Sequence, residues 1–175
     1  LYGNEMNFEA DTYVVLEIPS PIAEEVMAIR RHLESVPRNF CAEITVAGSS
    51  GVGVLSPNQG VDEFIEILEG IVKSTPQIET RFKGINHFPG TGIYYLEPEE
   101  QAPFVQMHEK FMNSSIKFTA SPFPYHAHCT IKKDDEETLK DFDKIITLSY
   151  PDKPFIITTV SVYSLKDNKP NLQYR

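Results

Sequence analysis

Cysteine is scarce in this chain. Cys41 and Cys129 are the only two in 175 residues, and neither sits at the spacing of a disulfide framework, so free thiols are expected. Long apolar runs are missing as well. Stretches such as Tyr13 to Leu16 fall far short of the roughly 20 residues that cross a bilayer, and Leu1 to Asp11 has none of the basic, apolar and cleavage regions of a signal peptide. A cytoplasmic protein with no membrane partner is expected. Positive charge is in deficit: 16 basic against 25 acidic side chains give a net charge of −9, which opposes wrapping duplex DNA. A small nucleotide or an RNA terminus remains compatible with that charge. The low-hydrophobicity signature of disorder is absent too, because 41% of residues are apolar. One domain spanning residues 1–175, monomeric and able to bury its own core, is the expectation.

What is present is a regular succession of elements. Thr12 to Ile18 is β-branched and apolar enough for a buried strand. Ser20 and Pro21 then read as an N-cap and a first-turn proline, and Ile22, Val26, Ile29 and Leu33 form one apolar stripe of a helix ending near Pro37. After a strand at Cys41 to Gly48 comes GSSGVG, Gly48 to Gly53. It offers several backbone N–H groups but lacks the lysine and spacing of a P-loop, so it reads as a connecting loop. Val61 to Val72 forms a second helix, Ile78 to Phe88 a strand, and Pro89 to Gly92 a turn into Ile93 to Leu96. A third helix carries Phe104, Met107 and Phe111. A fourth is expected over Asp134 to Leu148 with Leu139, Phe142, Ile145 and Ile146 inward, followed by a long strand, Phe155 to Leu165, and an uninformative polar tail.

Two windows in this succession carry chemistry. In Pro124 to Lys133, PYHAHCTIKK, alternation along a strand puts His128, Thr130 and Lys132 on one face. Imidazole, hydroxyl and ammonium together can move a proton at neutral pH while holding an anionic oxygen, which phosphoester chemistry requires. The upstream window CAEITVAG places Glu43 and Thr45 at the same relative positions. Glu43 follows Tyr13 by 30 residues and His128 follows Ile93 by 35, inside the same order of strand, helix, motif strand, helix, strand. That repetition suggests an internal duplication, with two α+β lobes related by a pseudo-twofold around a shared cleft.

With both windows in place the chain resembles the two-histidine (2H) phosphoesterases, the superfamily of RNA 2′,3′-cyclic phosphodiesterases and 2′-5′ RNA ligase-like proteins. The resemblance implies an α+β fold with two antiparallel sheets flanking a central cleft, helices outside, and no cofactor. It also implies metal-independent hydrolysis of cyclic or 2′-5′ phosphodiesters by two histidines that share acid and base duties. Carried over by position, His128 is the second-motif histidine, Thr45 and Thr130 are the phosphate-holding hydroxyls, and Lys133 falls where many members have a basic residue. Strand alternation favours Lys132 facing the cleft. The first-motif histidine, however, is Glu43 here. Losing one of two proton-transfer groups costs about 10²- to 10⁴-fold in rate. An ionised carboxylate about 4 Å from a phosphate charge also repels it by about 4 kcal/mol at an effective dielectric near 20. Glu43 can still work if burial raises its pKa and makes it a neutral acid, or if it serves as a base while Thr45 and the lysines offset its charge.

Other readings remain open at this level. The cleft can be a catalytically silent module that binds nucleotides or RNA ends. His126 and His128 can instead be two arms of a metal site completed by Glu43 or His87, the basis of a metal-dependent hydrolase. His126 and Tyr125 are candidates to line the cleft, and His87, beside a Pro-Gly turn, is a candidate substitute acid. Tyr13, Phe88, Tyr94, Tyr95 and Tyr125 offer material for a base-stacking platform, although aromatics at strand positions usually fill cores.

Overall fold

The computed structural model describes residues 7, 8, 10–137 and 139–175. Within these, eleven strands and four helices follow one another as β1 (Asp11–Glu17), α1 (Ile22–Leu33), β2 (Glu43–Ala47), β3 (Val54–Leu55), α2 (Val61–Lys73), β4 (Ile78–Thr80), β5 (Phe82–His87), β6 (Gly92–Pro98), α3 (Ala102–Met112), β7 (Phe118–Thr119), β8 (Cys129–Asp134), α4 (Phe142–Ile146), β9 (Phe155–Ile157), β10 (Val160–Lys166) and β11 (Lys169–Tyr174). The class is α+β. One antiparallel sheet has the order β11-β10-β1-β2, a second has β5-β6-β8, and two short pairs, β3-β7 and β4-β9, link distant parts of the chain. No helix among the described residues is long and apolar enough to cross a membrane.

The two strands that carry the motifs, β2 and β8, are each the edge of a sheet and not its centre. An edge strand presents unpaired N–H and C=O groups that must find partners elsewhere. Here the edges face each other, and the helices are exchanged: α1 packs against β8, and α3 against β2. A continuous core of Val14, Leu16, Ile44 and Val46 from the first sheet and Tyr94, Leu96 and Ile131 from the second joins Phe64, Phe104 and Phe111 of the helices. Each large side chain buried in this way contributes about 2 kcal/mol. Cys129 is fully buried among them.

Several local expectations fail for identifiable reasons. The Ser20 hydroxyl does not cap α1; it donates to the Glu24 carboxylate at 2.5 Å, and Pro21 stands at the cap without a side-chain bond. The fourth helix shrinks to one turn. β8 runs on to Asp134 because Gly92 to Tyr94 of β6 pair with Asp134 to Lys132, and Leu139 is left 58% exposed. Thr138, within the span expected to be helical, lies outside the described residues, as do residues 1–6 and 9. The long last strand breaks at Thr158 and Thr159, so that β9 joins β4 while β10 joins β1. The polar tail returns as β11 through Asp167 and Asn168, whose φ values of 53° and 60° suit a tight hairpin turn.

Candidate active site

A cleft of about 430 Å³ opens between the two motif edges, lined by Glu43 and Thr45 from β2 and by His128, Thr130 and Lys133 at and before β8, with Arg30 from α1 and Tyr13 from β1. The local sequence explains the placement. In β2 the buried side chains Ile44 and Val46 turn inward, so alternation turns Glu43 and Thr45 outward to the cleft. In β8 Cys129 and Ile131 play the same inward role, and Thr130 faces out.

Lys132 does not join them. Opposite the adjacent residues Tyr94 and Tyr95 stand Lys132 and Thr130, so Ile131 is an extra residue in β8, a bulge that breaks the alternation. Beyond the bulge Lys132 reaches the C-terminal end of α1, with Nζ 3.4 Å from the Leu33 carbonyl and 3.2 Å from an Asp134 oxygen. Lys133 lines the cleft instead. Its backbone N–H donates to the Ser35 hydroxyl at 2.8 Å, tying the loop after α1 to this strand.

Glu43 is the most perturbed carboxyl of the site. Burial pushes it up to about 7, against the opposing effects of a hydrogen bond from Cys41 and the positive charge of Arg30. The Cys41 Sγ lies 3.3 Å from Glu43 Oε2. Burial, and next the Glu43 charge, raise the Cys41 thiol to about 12, so the thiol is the donor in that contact. Glu43 also stands opposite Glu17 in the β1–β2 register, a like charge that adds to the upward push.

His128 is shifted the other way. Burial lowers its pKa, while the bond to the His126 backbone partly opposes that. Nδ1 lies 2.6 Å from the His126 carbonyl, which can only accept, so Nδ1 carries the proton and the neutral ring keeps a lone pair on Nε2. The rings of Phe88 and Tyr95, at centroid distances of 5.0 and 5.4 Å, pack edge-on against this imidazole.

The other sequence-derived candidates take supporting places. His126 pairs with the buried Glu97 at 3.2 Å. Gln101 brackets the next residue, its Nε2 donating to the Ala127 carbonyl at 2.9 Å and its Oε1 accepting the Ala127 N–H at 2.8 Å. Tyr125 sits behind β2, its ring stacked 4.1 Å from His108 and its hydroxyl donating to the Thr45 carbonyl at 2.9 Å. His87 belongs to the other face of its hairpin, against Tyr94 and Phe142, with Nε2 2.5 Å from the Thr91 carbonyl. Among the described residues no group of three or more His, Cys, Asp or Glu is disposed to hold a metal ion. The two-histidine metal arm therefore lacks a donor set there.

Sequence reasoning overlooked two residues, Arg30 and Gln101. Arg30 continues Ile22 and Val26 at spacings of four and is 4% exposed, so the periodicity did mark it. A charged side chain at such a position ordinarily stays at the surface.

The profile of the 2′-5′ RNA ligase superfamily matches residues 18–169, and the chain belongs to that superfamily. No curated protein sequence matches it. Among solved structures it is similar to E. coli LigT complexed with 3′-AMP (13% identity, TM-score 0.63, covering 95% of this chain and 94% of that one) and to TT0787 of Thermus thermophilus (12% identity, TM-score 0.63, 94% of each). A structure described as a phosphoesterase matches at 12% identity and a TM-score of 0.60, with 95% of each chain covered. At such identities the likeness shows the fold alone.

Proposed function

We propose that this protein hydrolyses 2′,3′-cyclic or 2′-5′ linked phosphodiesters of a nucleotide or RNA terminus without a metal, Glu43 serving where relatives have their first histidine. The observation that carries the reading is that Glu43, Thr45, His128 and Thr130, from two different sheet edges, line one cleft. E. coli LigT has been solved with 3′-AMP and with phosphate, ligands of the class proposed.

The chemistry follows from the two opposite shifts. Near neutral pH His128 is unprotonated with Nε2 open, a general base, and Glu43 retains a large fraction of its proton, a general acid. Thr45 and Thr130 donate hydroxyl protons to the non-bridging phosphate oxygens, and Lys133 offsets their charge. Nε2 accepts a proton from water as its oxygen bonds to phosphorus. The bond to one ribose oxygen breaks, and that oxygen takes the Glu43 proton, leaving a phosphomonoester. Transfer of a proton from His128 back to Glu43 through solvent resets the site. A protonated Glu43 removes the repulsion that a carboxylate would exert on the phosphate.

A second reading is favoured by the Cys41–Glu43 contact: a carboxyl held by the thiol in the ground state would leave the cleft to bind nucleotide without turnover. Turnover of a 2′,3′-cyclic mononucleotide in the presence of chelator decides between them. The hydrolase reading expects product from the wild type and a loss of about 10²- to 10⁴-fold in His128→Ala. Tight binding without product supports the silent module, and chelator-sensitive product would point to a metal-dependent enzyme.

A further inference from the structure

We propose that Arg30 is the positioning residue of the cleft, one guanidinium that fixes the separation of the two motif strands and supplies the positive charge facing Glu43 from the helix layer. The inference rests on the proposed use of Glu43 and His128, but its structural half stands without it.

Among the described residues no ladder of backbone bonds joins β2 to β8; each is the edge of its own sheet. Beside the contact of the Cys129 thiol on β8 with the Glu43 backbone on β2, the Arg30 side chain supplies a link. Its Nε donates to the Thr130 carbonyl on β8 at 2.9 Å, and its Nη1 donates to the carbonyls of Cys41 at 2.9 Å and Phe40 at 3.1 Å, immediately before β2. A planar fork with several fixed donors can span two edges in this way, and a lysine ammonium cannot hold both at one geometry. The carbonyls it satisfies belong to the β8 edge and to the loop before β2, and leaving such groups unpaired in a buried place is costly. Arg30 is 4% exposed, so these carbonyls take the place of water around its charge.

The same charge acts on Glu43. The groups that influence this carboxyl are Arg30 from α1, Glu17 from β1, Thr45 on its own strand and Cys41 just before that strand; Tyr13 from β1 and Cys129 from β8 feel it in turn. Arg30 is the cation in that set. Glu17 works against it and is itself engaged by the Ser161 hydroxyl and Arg175. Arg30 thus holds Glu43 within the range where it both keeps and releases a proton near neutral pH.

Three proteins separate the two roles: wild type, Arg30→Lys and Arg30→Met. The titration of the Glu43 carboxyl carbon is followed by NMR, and kcat and KM for a 2′,3′-cyclic mononucleotide are measured across pH 5 to 9. Arg30→Met should move the Glu43 titration upward by about one pH unit or more, because an opposite charge nearby has been removed. Arg30→Lys should leave it within a few tenths of a unit. In both variants kcat should fall on the order of 10²-fold with little change in KM, since misplacement of the opposed groups by an ångström costs about that much. An unmoved Glu43 titration in Arg30→Met overturns the electrostatic role, and undiminished kcat in both overturns the positioning role. If Arg30→Met does not fold, Arg30→Gln takes its place, neutral and still polar. If the wild type turns over no substrate the hydrolase reading fails. The Glu43 titration then decides the electrostatic role, and amide exchange at β2 and β8, expected to quicken at least ten-fold in Arg30→Lys, decides the structural one.

Discussion

His128 leans on the backbone of His126: its Nδ1 lies 2.6 Å from that carbonyl, and Gln101 holds both the N–H and the C=O of Ala127, the residue between them. The orientation of the imidazole is therefore set outside the cleft, by a glutamine at the start of α3. Residues 124–128 precede β8 and have no ladder of their own, so the amide replaces one.

Gln101→Ala should free this segment and lower kcat about ten-fold or more with KM nearly unchanged, because binding groups stay in place while the base loses its fixed direction. Gln101→Glu, which keeps only the acceptor, should fall between. The check is steady-state kinetics on a 2′,3′-cyclic nucleotide; equal kcat in all three would show that the clamp does not direct the base.

The rate should follow a bell in pH. His128, whose pKa lies below its ordinary 6.5, must be unprotonated, so activity falls on the acid side as it gains a proton. Glu43, at about 7, must be protonated, so activity falls on the alkaline side. In Glu43→His the alkaline limb should change in position, and turnover reports the role directly: a fall means that the carboxyl is the working acid, a rise that it marks a lost group.

Glu43 should also tax stability above neutrality. Its folded pKa of about 7 exceeds the ordinary 4.5, so the native state binds a proton that the unfolded state has released, and stability falls as pH rises from about 4.5 through 7. Glu43→Gln removes this dependence. Denaturant melts should show the variant level with wild type near pH 4.5 and more stable above pH 7.5 by about 2 kcal/mol, discounted from the full shift for residual solvent contact. A constant difference across that range would contradict the buried-carboxyl assignment.

The glycine loop can be tested for its packing role. Gly53 has a φ of +88°, and a Cβ there would lie 1.8 Å from the Thr119 carbonyl oxygen of β7, a backbone atom that cannot move aside cheaply. Gly53→Ala should destabilise by more than about 2 kcal/mol in thermal or denaturant unfolding. Gly70→Ala on α2, with nothing within 4 Å of the added methyl, should stabilise by up to about 1 kcal/mol.

By itself the sequence determined the elements whose apolar pattern is local: the β1 run, the stripes of α1 to α3, the Pro89 to Gly92 hairpin, and the alternation that turns Glu43 with Thr45, and His128 with Thr130, to one side of their chain segments. Those signals are periods of about 2 and 3.6 residues, and no partner is needed to read them. Tertiary structure decided the rest. It made the motif strands edges and not centres, because sheet order depends on which distant segment pairs where: β10 reaches β1 across the whole chain. It inserted the Ile131 bulge that sends Lys132 to α1 and Lys133 to the cleft, since a bulge exists only relative to a partner strand. And it buried Arg30 between two edges and left Glu43 half-buried at the cleft wall. A charge is tolerated inside only where carbonyls or neighbouring charges from elsewhere in the chain are waiting for it, and a pKa of about 7 on a glutamate is a property of that surrounding and not of the letter in the sequence.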